Sequence, residues 1–230
     1  MGRGPADIRD FWDCKILAWE AGRYSPRRKG LFPDVNRPLK ERMETAGRVL
    51  RTAAKDKVVL ELGCGTARLL PAVMEAGARE YIGIDVSEAA LREARGNCDR
   101  LGFSSRARFL RRDLRDLGPL SADLCFSLGF LDWLTVDEIK GVISGIDCGC
   151  FFHSFSERRF SLRQVLHRVY VYALYGYRSN GYVPRYHPEK TMEEVFRPRT
   201  KHRLSFYRAR ELSFCAFVCD FPEPGILRDG

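Results

Sequence analysis

The chain predicts an α/β fold built on a mostly parallel, doubly wound sheet, and three observations carry that expectation. Val58-Val59-Leu60-Glu61-Leu62 is short, apolar and partly β-branched, the pattern of a strand buried on both faces. Gly63-Cys64-Gly65 then breaks the run, and from Thr66 the apolar residues Leu69, Leu70, Val73 and Met74 fall at helical spacing. A second short run, Tyr81 to Ile84, ends in Asp85. Strand, glycine turn, helix, strand and acid form a unit in which the helix start offers unpaired N–H groups and a positive dipole end. A carboxylate about 20 residues after the glycines is where a ribose diol is held. A nucleoside-containing ligand at the switch point of a parallel sheet is therefore expected.

Two ligand classes fit such a unit. A dinucleotide site wants a third small residue three positions after the second glycine, so that helix and strand pack closely, and Arg68 stands there. The run Glu61-Leu62-Gly63-Cys64-Gly65-Thr66, followed by Asp85, instead resembles the first two motifs of class I S-adenosylmethionine-dependent methyltransferases. That resemblance implies a Rossmann-like, doubly wound sheet of seven strands, mostly parallel with an antiparallel last strand. It also implies S-adenosyl-L-methionine as cofactor and S-adenosyl-L-homocysteine as product. Glu61, Gly63, Cys64 and Gly65 would surround the methionine end, and Asp85, with Val86 beside it, would take the ribose hydroxyls. Asp113 and the backbone of Leu114 would read the adenine edge, while Ser127 and Tyr24 would complete the cleft.

The remaining elements follow in order. Residues 8 to 24 carry Ile8, Phe11, Trp12, Ile16 and Trp19 at helical spacing, and 38 to 54 form a second helix with Leu39, Met43, Val49 and Leu50 inward. In the resembled family such helices cover the cofactor cleft; Trp12, Trp19 and Tyr24 either line that cover or simply pack the helix on the body. Ser87 caps a helix that begins with Glu88, in keeping with the dipole. Ala107–Leu110 is a third strand and Ala122–Leu128 a fourth. After the fourth comes Ser127-Leu128-Gly129-Phe130-Leu131-Asp132-Trp133. It lacks the Asp/Asn-Pro-Pro-aromatic signature of enzymes that methylate exocyclic base amines, and the Pro-Cys pair of cytosine-carbon enzymes. Val136–Ile143 is a short helix, Cys150–Phe155 a fifth strand, and Glu157–Tyr177 a helix with Leu162, Val165, Leu166 and Val169 on one face. Residues 178–190 read as a loop rich in turn residues and aromatics. Leu204–Tyr207 and Leu212–Phe221 read as a closing antiparallel hairpin. The expected organisation is one domain: a helical cover (1–54), a cofactor core (55–155), a basic acceptor-side insertion (156–202) and the hairpin (203–221).

With 230 residues the chain is long enough to bury a sizeable core, and 45% apolar content is ordinary for a globular protein. No run approaches the ~18 apolar residues of a membrane span. The N-terminus lacks the apolar core of a signal peptide, and Ala6 breaks the myristoylation pattern, so a cytoplasmic location is expected. The eight cysteines sit mostly in apolar contexts and read as reduced, buried thiols. Cys148-Gly-Cys150 has no second pair at zinc spacing, and no metal is expected.

The net charge of +9 is uneven: residues 156–210 hold 13 Lys or Arg against 4 Glu and no Asp, and the rest of the chain balances. Seven tyrosines share that segment. Three explanations stay open: a solvated basic face, a pocket for an anionic small-molecule acceptor such as a phosphorylated, carboxylated or lipid-linked sugar, perched at a membrane surface through a basic helix, or an RNA site in which arginines alternate with aromatics. An oxygen acceptor of high pKa would gain from a general base. Asp132, His153 and His187 are the candidates; their structural alternatives are a helix cap, a satisfied core histidine and an exposed loop residue. Methyl transfer to an oxygen, or a nitrogen, of a small polar acceptor, with anionic and sugar- or lipid-linked acceptors included, is the leading expectation. An RNA-directed methyltransferase or nucleic-acid-binding protein and a catalytically idle cofactor-binding protein are the alternatives.

Overall fold

A computed structural model of the chain describes residues 5–24, 37–113, 117–159, 161–172, 183–223 and 226. Seven strands form one sheet: β1 (Val58–Leu62), β2 (Glu80–Asp85), β3 (Ala107–Arg111), β4 (Leu120–Ser127), β5 (Ile146–Ser156), β6 (Ser205–Tyr207) and β7 (Cys215–Cys219). Their spatial order is β3-β2-β1-β4-β5-β7-β6, with β7 antiparallel to both its neighbours. The order reverses at β1, which pairs in parallel with β2 on one side and β4 on the other. The carboxyl ends of these strands therefore open a crevice beside the glycine turn.

Among the described residues seven helices accompany the sheet: α1 (Pro5–Tyr24), α2 (Arg37–Ala53), α3 (Leu70–Glu75), α4 (Glu88–Arg100), α5 (Val136–Ser144), α6 (Leu162–Val171) and α7 (Glu189–Phe196). Side chains alternate between the two faces of the sheet. Val59, Tyr81, Leu124, Phe126, Phe152 and Phe217 pack with Leu50 of α2, Leu70 and Val73 of α3 and Ala94 of α4. Leu60, Leu62, Ile84, Cys125 and Phe151 face the other way, onto Ile139 and Val142 of α5 and Met192 and Phe196 of α7. The thiols of Cys64, Cys98, Cys125, Cys150, Cys215 and Cys219 are buried and reduced, as their apolar surroundings suggested, whereas Cys14 is exposed.

Several boundaries depart from expectation. The helix expected from Thr66 starts at Leu70, because the turn continues through Ala67, whose φ of 57° is left-handed. α6 begins only after Ser161, whose hydroxyl accepts from the Gln164 N–H, and not at Glu157. α7 was not anticipated at all. Its signal is present in Pro188, Glu189 in the first turn, and the buried Met192, Val195 and Phe196, but eight residues in a basic stretch give little periodicity to read. The closing hairpin forms as expected, although its strands are shorter, joined through a 3₁₀ turn at Arg210–Leu212.

Candidate functional site

The site is built on the glycine turn after β1. The N–H groups of Gly63 and Cys64 both donate to the Ile84 carbonyl at the end of β2, 2.8 and 3.0 Å away, which fixes the turn against the next strand. Gly63 and Gly65 have φ of 66° and 53°. A Cβ at Gly63 would come within 3.0 Å of the Phe130 ring, and one at Gly65 would collide with Glu20 Oε1. Backbone angle and space both demand glycine at these two positions.

Three buried carboxylates converge on this turn. Glu61, on β1, accepts a hydrogen bond from the Tyr81 hydroxyl. Burial, reinforced by the nearby carboxylates of Glu20 and Asp85, pushes its carboxyl up to about 8. Asp85, at the end of β2, accepts from the Gly65 N–H at 2.9 Å through Oδ2 and from the Ser87 N–H at 2.9 Å through Oδ1. Burial raises its pKa against the pull of those N–H donors. Glu20 comes from α1, far away in sequence. It accepts from the Thr66 N–H at 3.2 Å, from the Thr66 hydroxyl, and from Arg68 Nε at 3.0 Å. Cys64 lies among these acids; burial first, then their charges, drives its thiol well above its ordinary pKa, so it is no nucleophile.

α1 lies over the crevice and is fastened at three places. Glu20 holds the glycine turn. Asp13 caps the start of α4, accepting from the Ser87 hydroxyl at 2.7 Å and the Ala89 N–H at 3.2 Å. Against the cost of burial, those bonds and the Arg111 charge keep the Asp13 carboxyl below its usual range. At the other end, Trp12 meets Trp133 edge to face with ring centroids 4.8 Å apart, and Phe11 lies edge-on to Trp12 and tilted against Trp133. The N-terminal helix is thus tied to the glycine turn, to the start of α4 and to the loop after β4, and Trp12 makes the last of these contacts. Glu20, Asp13 and Trp133 were not singled out from sequence. The available signal was that Asp13, Ile16 and Glu20 share one helical stripe, two acids set in an inward-facing row.

The other expected cofactor contacts are placed as follows. The Val86 carbonyl accepts from Arg111 Nε at 3.3 Å, at the edge of the Asp85 pocket. Asp113 follows β3 and is half-buried. Leu114 and the side chain of Tyr24 lie outside the described residues. Ser127 ends β4 and is buried, with its hydroxyl 2.9 Å from His153 Nδ1.

The three base candidates differ in surroundings. His153 sits on β5, stacked on Phe151 and tilted against Phe196, and burial pulls its pKa down to about 3. Asp132, in the 3₁₀ turn Leu131–Trp133, is buried in an ion pair. Its Oδ2 lies 3.0 Å from Arg42 Nη1, and its Oδ1 accepts from the Ser156 N–H at 2.5 Å. Arg42 also donates from Nε to the Cys215 sulfur at 2.8 Å. His187 is buried as well, with its Nε2 3.0 Å from the Leu131 carbonyl and its N–H donating to the Ser156 carbonyl. The neighbouring carbonyl requires Nε2 to be the donor, so the neutral ring carries its lone pair on Nδ1. Burial, chiefly, lowers the pKa of His187. Asp132 and His187 therefore meet beside the carboxyl ends of β4 and β5, while His153 lies deeper in the sheet.

Residues 59–147 match the family model described as a methyltransferase domain. Ribosomal protein L11 methyltransferase of Escherichia coli is 34% identical over 95 residues, covering 33% of this chain and 32% of that protein. An mRNA cap guanine-N(7) methyltransferase of Meyerozyma guilliermondii is 27% identical over 189 residues, covering 74% of this chain and 31% of that protein. The chain thus spans about a third of the length of these curated relatives. Among solved structures, magnesium protoporphyrin IX methyltransferase from Synechocystis with bound S-adenosylhomocysteine superposes with a TM-score of 0.69 at 18% identity, covering 94% of this chain and 98% of that one. A 1,6-didemethyltoxoflavin-N1-methyltransferase from Burkholderia thailandensis, with its substrate and S-adenosylhomocysteine bound, superposes with a TM-score of 0.62 at 17% identity, covering 95% and 90%. Strand order, glycine turn and the acid after β2 agree with that match: residues 59–147 form a methyltransferase domain, on a Rossmann-like fold shared with solved S-adenosylmethionine-dependent methyltransferases.

Proposed function

We propose that the protein transfers a methyl group from S-adenosylmethionine to an oxygen, or a nitrogen, of a small polar and anionic acceptor. The observation that carries the donor assignment is the ring of three buried carboxylates, Glu20, Glu61 and Asp85, around a turn that excludes side chains at Gly63 and Gly65. Among the described residues, Arg68 is the cation ion-paired with that ring. Buried acids in excess of cations suit a ligand bearing a sulfonium and an ammonium group. When bound, S-adenosylmethionine supplies an electrophilic methyl group. Glu20, and Glu61 once the bound cation drives off its proton, would balance its positive charges, Asp85 would hold the ribose hydroxyls, and Asp113 would face the adenine. α1, through Trp12, would exclude water from above.

On the acceptor side, the chain's own task is orientation, since holding two reactants in line supplies much of the barrier reduction. Of the three base candidates we assign proton removal from a hydroxyl acceptor to Nδ1 of His187, because its other nitrogen is already committed to a carbonyl. Asp132 is assigned the positioning of Arg42 and the β5 end, and His153 a packing role with Ser127. The basic excess of residues 156–210 favours an anionic acceptor, and a carboxylate acceptor would need no base. Among the described residues no helix is long and apolar enough to cross a membrane, and a cytoplasmic location is part of this proposal.

The RNA alternative draws support from the cap methyltransferase relative, whose alignment covers most of this chain. Labelled methyl donor separates the two. Incubation with cell extract, followed by partition of the label, is expected to place it in the small-molecule fraction. Label recovered in RNA would replace the small-molecule reading, and tight donor binding without any label transfer would indicate an idle cofactor-binding protein.

A further inference from the structure

α6 faces the wrong way for a core helix. Its inner side is anchored by Gln164, whose side-chain amide donates to the Glu157 carbonyl at 2.7 Å and whose oxygen accepts from the Arg159 N–H at 2.7 Å. The opposite side carries Leu162, Val165, Leu166, Val169 and Tyr172, at the i, i+3, i+4, i+7, i+10 spacing of one stripe. These side chains are 76, 54, 63, 63 and 62% exposed. They are five of the seven large apolar residues exposed among those described. Single exposed leucines need no explanation, but a continuous stripe on one helix does.

The charge of the segment that carries the stripe selects its occupant. Residues 158–188 contain six arginines and neither aspartate nor glutamate. Arg168 is exposed on the same helix and Arg158 just before it. An exposed apolar face with the exposed Arg168 beside it, on a helix tied through Gln164 to the strand end before it, is the arrangement of a segment that lies in a bilayer interface, with its apolar side chains among acyl chains and its cations at anionic headgroups. We propose that α6 docks the protein on an anionic lipid surface. An acidic protein partner would complement the charge but would not by itself account for five large apolar side chains in one row. The segment leading into the helix adjoins the site described above, because the Arg158 N–H donates to the His187 carbonyl at 3.0 Å. Docking through α6 would thus hold the carboxyl end of β5 close to the membrane. The inference does not depend on the identity of the methyl acceptor.

The full chain is tested by co-sedimentation with phosphatidylcholine vesicles, with and without phosphatidylserine, without any methyl donor. Partitioning is expected to be about tenfold stronger on the anionic vesicles and to weaken as salt is raised. The double substitution Leu166→Glu with Val169→Glu is expected to lower it about tenfold. Both positions are exposed, so the thermal midpoint should hold. Arg168→Glu, which leaves the stripe intact, should weaken binding to the anionic vesicles alone. Absence of sedimentation with either vesicle, or equal sedimentation of parent and double variant, would overturn the proposal. So would a parent dimer in analytical ultracentrifugation that the double variant dissolves, since a second copy would then cover the stripe.

Discussion

The Glu20 carboxylate, carried by the N-terminal helix, accepts hydrogen bonds from both the backbone N–H and the hydroxyl of Thr66 on the glycine turn. Residues 46 positions apart are thereby joined over the place where a cationic donor is proposed to bind. Removing the charge while keeping the shape isolates its electrostatic part. Glu20→Gln is expected to weaken S-adenosylmethionine by about 1–2 kcal/mol and S-adenosylhomocysteine, which lacks the sulfonium, by clearly less. Calorimetric titration of both ligands measures the ratio. Equal losses for the two would assign Glu20 to the fastening of α1 alone.

Glu61 provides a pH signature. An unfolded chain releases its proton near 4.5, whereas the folded protein keeps it up to about 8. Between these values the native state holds a proton that the unfolded state has lost, so this group makes stability fall as pH rises, by at most about 1.4 kcal/mol per pH unit. Above about 8 its contribution levels off. Glu61→Gln retains an acceptor for the Tyr81 hydroxyl but cannot ionise. Urea unfolding at intervals from pH 5 to 8 should show the variant gaining on the parent as pH increases. Parallel curves would mean that Glu61 titrates normally.

The Arg42–Asp132 pair ties α2 to the loop after β4 and to β5. Both side chains are buried, so loss of one partner strands the other. Arg42→Met is expected to cost about 3–5 kcal/mol. Adding Asp132→Asn, which keeps an acceptor for the Ser156 N–H, should recover part of that loss. The midpoints of urea unfolding for the single and double variants test this, and a double variant weaker than Arg42→Met would show that the carboxylate has other partners.

If His187 removes the acceptor proton, His187→Gln should lower kcat by about 10²–10⁴-fold while donor affinity stays unchanged. Gln can still donate to the Leu131 carbonyl, which preserves the local fold. His153→Asn should leave kcat within a few-fold, because its ring is neutral and committed to Ser127. The reverse order of effects, read from initial rates with a hydroxyl acceptor, would move the base to His153.

What could be read before any coordinates were those features whose cause is local. β1, the glycine turn and β2 were legible because strand period, left-handed glycines and a terminal acid all lie within about thirty residues. The burial of β1 on both faces followed from its continuous apolar run, Val58 to Leu62. By contrast, Glu20 and Asp13 find their partners 46 and 74 positions away, and Arg42 meets Asp132 across 90. Nothing in a helical stripe states which acid will turn toward a loop and which toward water. α7 escaped for another reason: its eight residues complete barely two turns, and tertiary contacts from Met192 and Phe196 stabilise it more than its own pattern announces. The outward stripe of α6 was visible as periodicity, but its direction was not, because amphipathic spacing is the same whether the apolar face looks in or out.

The glycine turn and Asp85 are proposed to hold the donor nucleoside. Calorimetry with S-adenosylhomocysteine tests it most directly, on the parent and on an Asp85→Ala variant shown by circular dichroism to be folded. Saturable binding to a single site is expected for the parent, with a loss of about 1–3 kcal/mol in the variant. No binding to the parent, or an affinity unchanged by Asp85→Ala, would contradict it.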